Sequence, residues 1–106
     1  MEQKIVRHVL IGRFSQEMTS EIYEEFIHAF RGLSKKIEGI LSFEYGANNS
    51  PEGFNQGMTH VIIITFINAE ARDAYLIHPA HVRFAKWLGG LGILENLMVV
   101  DYTPQG

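Results

Sequence analysis

The sequence contains no cysteine in 106 residues, which excludes a disulfide framework and any thiolate metal centre and suits a reducing, cytoplasmic location. Positive charge is also scarce. Nine basic residues face twelve acidic ones, for a net charge of −3, and no basic stripe could neutralise the phosphates of a duplex, so no nucleic-acid partner is expected. Long apolar runs are missing. The start, Met1-Glu2-Gln3-Lys4-Ile5-Val6-Arg7, has no uninterrupted apolar segment, and nothing approaches the roughly 18 apolar residues of a membrane span, so neither a targeting segment nor a membrane partner is expected. Gly46 to Gly57 holds several glycines but neither Gly-x-Gly-x-x-Gly nor a following Gly-Lys-Ser/Thr. A phosphate-cradling loop is not expected there.

What is present suits one domain over residues 1–106, since 46% hydrophobic residues in a chain this short build a single core. Residues 4–14 read as a first strand through Ile5, Val6, Val9, Leu10, Ile11 and Phe14. Thr19 or Ser20 offers a hydroxyl cap, and Ile22, Phe26, Ala29, Phe30, Leu33 and Ile37 recur at helical spacing to about residue 38, with Gly39 as the stop. Leu41, Phe43 and Tyr45 alternate as in a second strand, and turn formers from Gly46 to Gly57 make a long loop, expected to contribute to subunit contacts. Residues 58–67, with Val61-Ile62-Ile63-Ile64, predict a central third strand. Asn68 can cap a helix that stops near Pro79, because the residue before proline is pushed out of the helical region. Pro79 then starts another helix, with Gly89-Gly90 as its expected stop, and a last strand spans 96–102.

The order is β-α-β-β-α-β with a broken second helix, the ferredoxin-like α+β pattern. In that topology the first and third strands are expected to be adjacent, parallel and central, with both helices on one sheet face. The other face, left bare, is expected to pair with a second copy, giving a homodimeric α/β barrel.

Four of the five histidines could be aimed at one place. Strand parity puts His8 with Val6, Leu10 and Phe14, and His60 with Ile62, Ile64 and Phe66; the expectation is that both rings lie on the helix side as neighbours. His81 shares a helical face with Phe84, Ala85 and Leu88, and Tyr75 lies six residues upstream across the proline break. A neutral imidazole can remove a proton beside a carbonyl while a phenol donates to the developing enolate, and no cofactor is needed. The plainer alternative is that each histidine satisfies a buried group or caps a helix, a role pre-proline geometry already assigns to His78. His78 and His81 could also share zinc or nickel with His60 or Asp101, but no motif fixes a third ligand and no metal is assigned. Trp87, Phe84 and Leu88 read as packing residues.

The segments Arg7-His8-Val9-Leu10, Thr59-His60-Val61, Ala74-Tyr75-Leu76-Ile77-His78-Pro79-Ala80-His81 and Val100-Asp101-Tyr102 together resemble the stress-responsive dimeric α/β-barrel (Dabb) family along almost the whole chain. The resemblance implies a ferredoxin-like protomer and a homodimer. The family includes plant stress proteins without an assigned reaction and polyketide cyclases that close a linear ketide thioester by cofactor-free aldol condensation. By similarity to those cyclases, His81 would be the general base and Tyr75 its hydrogen-bonding partner, with His8 and His60 lining the pocket. Phe30 stands where the cyclases carry a further pocket tyrosine, and its missing hydroxyl implies a different substrate. The loop Asn48 to Gly57 is similar to that of bacterial members, so a bacterial source is expected. The resemblance thus implies a dimer binding a small carbonyl compound and catalysing cofactor-independent proton transfer, as an aldol-type cyclase, lyase or isomerase. The alternatives are a non-enzymatic stress protein acting as a dimer or larger assembly, and a cofactor-free monooxygenase.

Overall fold

A computed structural model of the chain describes residues 4–106. Seven elements follow in order: β1 (Val6–Phe14), α1 (Ser20–Lys36), β2 (Ile40–Ala47), β3 (His60–Phe66), α2 (Ala69–Ile77), α3 (Pro79–Leu91) and β4 (Leu94–Tyr102). The strands form one sheet in the order β2-β3-β1-β4, the ferredoxin-like arrangement. β1 and β3 are adjacent and central, but they run antiparallel, not parallel as expected. The reason is topological: the α1 crossover makes β1 parallel to β2, and β3 then returns antiparallel to β2 beside β1.

Local chemistry sets the element ends. Thr19 Oγ1 accepts from the Ile22 N–H at 3.1 Å and Asn68 Oδ1 from the Ala71 N–H at 2.8 Å, each satisfying a first-turn donor that has no intrahelical partner. Helix α1 ends at Lys36, and Gly39 (φ 91°) turns the chain into β2. Only glycine fits there, since a Cβ would meet the Ala71 Cβ of α2 at 2.5 Å as well as requiring a left-handed conformation. Gly89 and Gly90 do not stop α3. The helix runs through them to Leu91 and ends at Gly92, the residue that adopts the left-handed conformation (φ 66°). In β2, Ile40 pairs with Phe66 and Ser42 with Thr65, so Leu41 is an extra residue thrown outward by a bulge and is 57% exposed.

The core lies between the sheet and the helices. Phe26, Phe30 and Leu33 of α1, Tyr75 of α2 and Phe84 of α3 pack on Val6, Phe14, Ile62, Ile64 and Phe66, each fully buried large side chain contributing about 1.5–3 kcal/mol. Trp87 and Leu88 pack against this core, as their spacing predicts. The opposite sheet face carries Val9, Ile11, Val61, Ile63, Met98 and Val100 by register, and none of the described helices covers it, although the loop after β2 approaches Ile11, Val61 and Met98 at one end. Among the described residues, no helix is long and apolar enough to cross a membrane.

Candidate functional site

His8 and His60 share the helix side of the sheet, as expected, but they are not neighbours. His8 pairs with Ile64, whereas His60 pairs with Gly12. Four residues of strand therefore separate them, about 13 Å. The sheet register divides the histidines into two clusters.

The first cluster surrounds Tyr75, a fully buried residue. Its ring lies 4.2 Å from that of His81, tilted by 34°, and 5.9 Å from that of His8, edge-on. Burial pushes the phenol far above its ordinary value, so the hydroxyl keeps its proton and has it available to donate. His81 Nδ1 lies 3.2 Å from the Leu76 carbonyl oxygen. A carbonyl can only accept, so the neutral imidazole carries its proton on Nδ1 and presents a free lone pair at Nε2. Partial burial draws His81 below its ordinary 6.5; the Leu76 hydrogen bond opposes this, and positive charge on His8 or His78 adds to it. His81 is therefore an uncharged base with a defined tautomer at neutral pH.

His8 Nδ1 lies 2.7 Å from Asp101 Oδ1, and Arg72 Nη1 donates to Asp101 Oδ2 at 2.7 Å. Three elements meet at this carboxylate: His8 from β1, Arg72 from α2 and Asp101 from β4. The carboxylate accepts, so His8 Nδ1 donates. Arg72 was not anticipated as a site residue, although it sits three residues before Tyr75 and so shares its helix face.

His78 does not join the cluster as a ligand. Its Nδ1 accepts from the Ala80 N–H at 3.0 Å while Pro79 begins the next helix, which makes it the cap of α3. The metal set of His78 and His81 with His60 or Asp101 is not assembled: among the described residues, no three histidine, aspartate or glutamate side chains converge to hold an ion.

The second cluster centres on His60. Thr59 Oγ1 lies 3.2 Å from the Gly12 carbonyl oxygen, accepts from the Phe14 N–H (3.1 Å) and lies 2.8 Å from His60 Nδ1, so the imidazole and the hydroxyl share one proton between them. Burial lowers His60 below its ordinary 6.5. Its ring lies 4.9 Å from that of Tyr23 and 5.1 Å from that of Phe14. Tyr23 was also missed by sequence reading; burial and neighbouring Tyr45 raise its phenol.

Phe30 belongs to this second end. With Phe14, Phe26, His60, Leu88 and Leu97 it lines a cavity of about 30 Å³, room for about one water molecule. Tyr75, His8 and His81 are not among its lining residues. A strip of the sheet's helix side links the two ends. Leu97, Val99 and Asp101 face the helices by register with Gly12, Leu10 and His8, yet Leu97 and Val99 remain 45% and 48% exposed because the helices leave this edge open.

Residues 6–104 match the family model described as the stress responsive A/B barrel domain. The chain is 39% identical over 93% of its length to the stress-response A/B barrel domain-containing protein HS1 of Arabidopsis thaliana, covering 89% of that protein. It is 31% identical over 94% of its length to olivetolic acid cyclase of Cannabis sativa, covering 97% of it. A crystal structure of an Arabidopsis thaliana protein, 39% identical, superposes with a TM-score of 0.88 over 95% of this chain and 96% of that one. A dimeric ferredoxin-like protein from Jannaschia sp. CCS1, 24% identical, superposes with a TM-score of 0.77 over 92% of this chain and 97% of that one. The chain belongs to the stress responsive A/B barrel domain family.

Proposed function

We propose that this protein is a homodimer that binds a small carbonyl compound between sheet and helices and moves a proton on it without a cofactor. The observation that carries this reading is the His81–Tyr75 pair, a neutral imidazole with Nε2 free against a phenol held protonated. In the reaction, His81 Nε2 takes a proton from the carbon next to the carbonyl. The C–H electron pair moves to form the enolate, whose oxygen accepts a hydrogen bond from Tyr75; the enolate carbon then attacks a second carbonyl or is reprotonated. The apolar remainder of the compound lies along Leu97 and Val99 toward His60 and Phe30. Similarity to olivetolic acid cyclase supports this class of chemistry. The bare apolar sheet face, together with the dimeric relative of the same fold, supports the dimer.

Titrating 15N-labelled protein with β-keto esters and phenolic ketones tests the binding step. Saturable shifts centred on Leu10, Tyr75, His81 and Val99 are expected. The absence of saturable shifts with any carbonyl ligand would remove the reading.

One observation favours a second reading, a non-enzymatic stress protein acting as a dimer. The cavity is small, and His8, His60, His78 and His81 each have a hydrogen-bond partner within the chain. Under that reading His81→Ala costs about 1–3 kcal/mol of stability, whereas a base held for function is removed with little loss or a gain. Thermal unfolding of the variant separates the two.

A further inference from the structure

We propose that Arg7 and Glu44 form reciprocal ion pairs across the bare sheet face, so that Arg7 of each copy meets Glu44 of the other and the two pairs fix how the sheets of the dimer are oriented. Arg7 lies on the face that the helices leave bare by register with Thr65 and Tyr102, and Glu44 lies on it by register with Ile63. Ile63 in turn pairs with Val9, and Val9 with Val100, so the carboxylate stands at the end of an apolar row.

The two charges are left over within the protomer. Arg7 Nη1 donates to Thr65 Oγ1 at 2.8 Å, which aligns the side chain along the face and leaves the other guanidinium N–H groups to spare. Among the described residues, neither Arg7 nor Glu44 has an ion-pair partner in its own chain. Arg13, the third charge that the strands place on this face, is already matched by Glu95 at 3.4 Å. Arg7 and Glu44 sit two strands and one two-residue step apart in the sheet, about 12 Å.

An ion taken out of water without a counter-ion opposes association. Two-fold pairing resolves both charges at once. In such an interface, if one residue contacts a second, the second contacts the first, so one unmatched cation and one unmatched anion become two complementary pairs. An axis running between Arg7 and Glu44 across the face brings the unlike residues together and keeps the like ones apart. There is room for the contact. A hollow of about 330 Å³ beside Glu44 is lined by Gly46, Val61 and Ile63, and a Cβ on Gly46 would meet nothing within 4 Å, which suits a long side chain arriving from the opposite sheet. The face is thus self-complementary in charge, and its occupant is a second copy of this chain. The pairing rests on the dimer proposed above, to which it adds an orientation.

The experiment swaps the charges and measures self-association by sedimentation. Arg7→Glu and Glu44→Arg each create two like-charge contacts in their own dimers, and each is expected to raise the dimer dissociation constant by about 10²-fold or more. Mixed in equal amounts, the two variants complement each other, and native mass spectrometry is expected to show the heterodimer in excess of either homodimer. Arg7→Glu/Glu44→Arg in one chain restores the homodimer. A monomeric parent would remove the dimer and the pairing together. A dimeric parent whose folded Glu44→Arg variant keeps the parent's dissociation constant would overturn the pairing alone, as would two weakened variants that form no heterodimer on mixing. Glu44 is exposed, so its variant decides the matter even where Arg7→Glu does not fold.

Discussion

The His81 imidazole packs on the Tyr75 phenol with ring centroids 4.2 Å apart although the two residues lie on different helices. The helix break brings them together. His78 is extended (φ −65°, ψ 133°) ahead of Pro79, so α3 leaves in a new direction and its first turn comes back over the face of α2 that carries Tyr75. A continuous helix would put residues six apart about 120° from one another around the axis and about 9 Å apart along it.

The hydroxyl and the ring of Tyr75 have separable roles. Tyr75→Phe keeps the ring stack and is expected to change stability by no more than about 1 kcal/mol, while slowing α-proton exchange on a bound carbonyl compound by about 10²–10³-fold. Tyr75→Ala, by contrast, empties a fully buried site and is expected to cost about 3–5 kcal/mol. Thermal unfolding and exchange rates measured on both variants check the separation.

Stability should fall in acid. Burial lowers His60 and His81 below the 6.5 they have in the unfolded chain. In the window below that value the unfolded state binds more protons, so stability is fully present above it and is lost as pH falls toward the folded-state values. Melting temperatures measured from pH 7.5 to 5.0 are expected to decline, with a shallower decline in His60→Gln/His81→Gln. An equal slope in both proteins would assign the effect to other groups.

Gly39 is the most sensitive glycine. Gly39→Ala combines a left-handed backbone with a Cβ at 2.5 Å from the Ala71 Cβ, and the left-handed conformation alone costs about 1–2 kcal/mol. Urea unfolding is expected to show a loss above that figure. Gly46→Ala, where a Cβ meets nothing within 4 Å, is expected to lose less.

The bare sheet face should hold two copies together. Val100 lies on it by register with Val9 and is 50% exposed in the protomer. Val100→Lys is expected to shift the protein from dimer to monomer at micromolar concentration, because an ammonium would be buried without a partner. Light scattering after gel filtration reads the mass directly, and an unchanged mass would place the interface elsewhere.

Local signals were legible in the sequence. The caps Thr19, Asn68 and His78 and the helix break at Pro79 could all be read from residue types and spacing, whereas the inward face of β1 could not, because both of its faces are apolar. What could not be read depends on how separate segments meet. The β1–β3 register, which places His8 and His60 four residues apart, follows from long-range pairing. The antiparallel sense of that pairing was likewise misjudged. Arg72 and Tyr23 were overlooked because each becomes informative only beside a distant residue, Asp101 for one and His60 for the other. Their positions three residues before Tyr75 and Phe26 were the available signal.

The central claim is that His81 Nε2 is a working base. Its most direct test follows deuterium uptake at the α-carbon of a β-keto thioester in D2O by NMR, with the parent protein and with His81→Gln. The account predicts saturable catalysis by the parent and a loss of about 10²–10⁴-fold in the variant, with its melting temperature maintained. Exchange no faster than the buffer rate, or equally fast with His81→Gln, would contradict it.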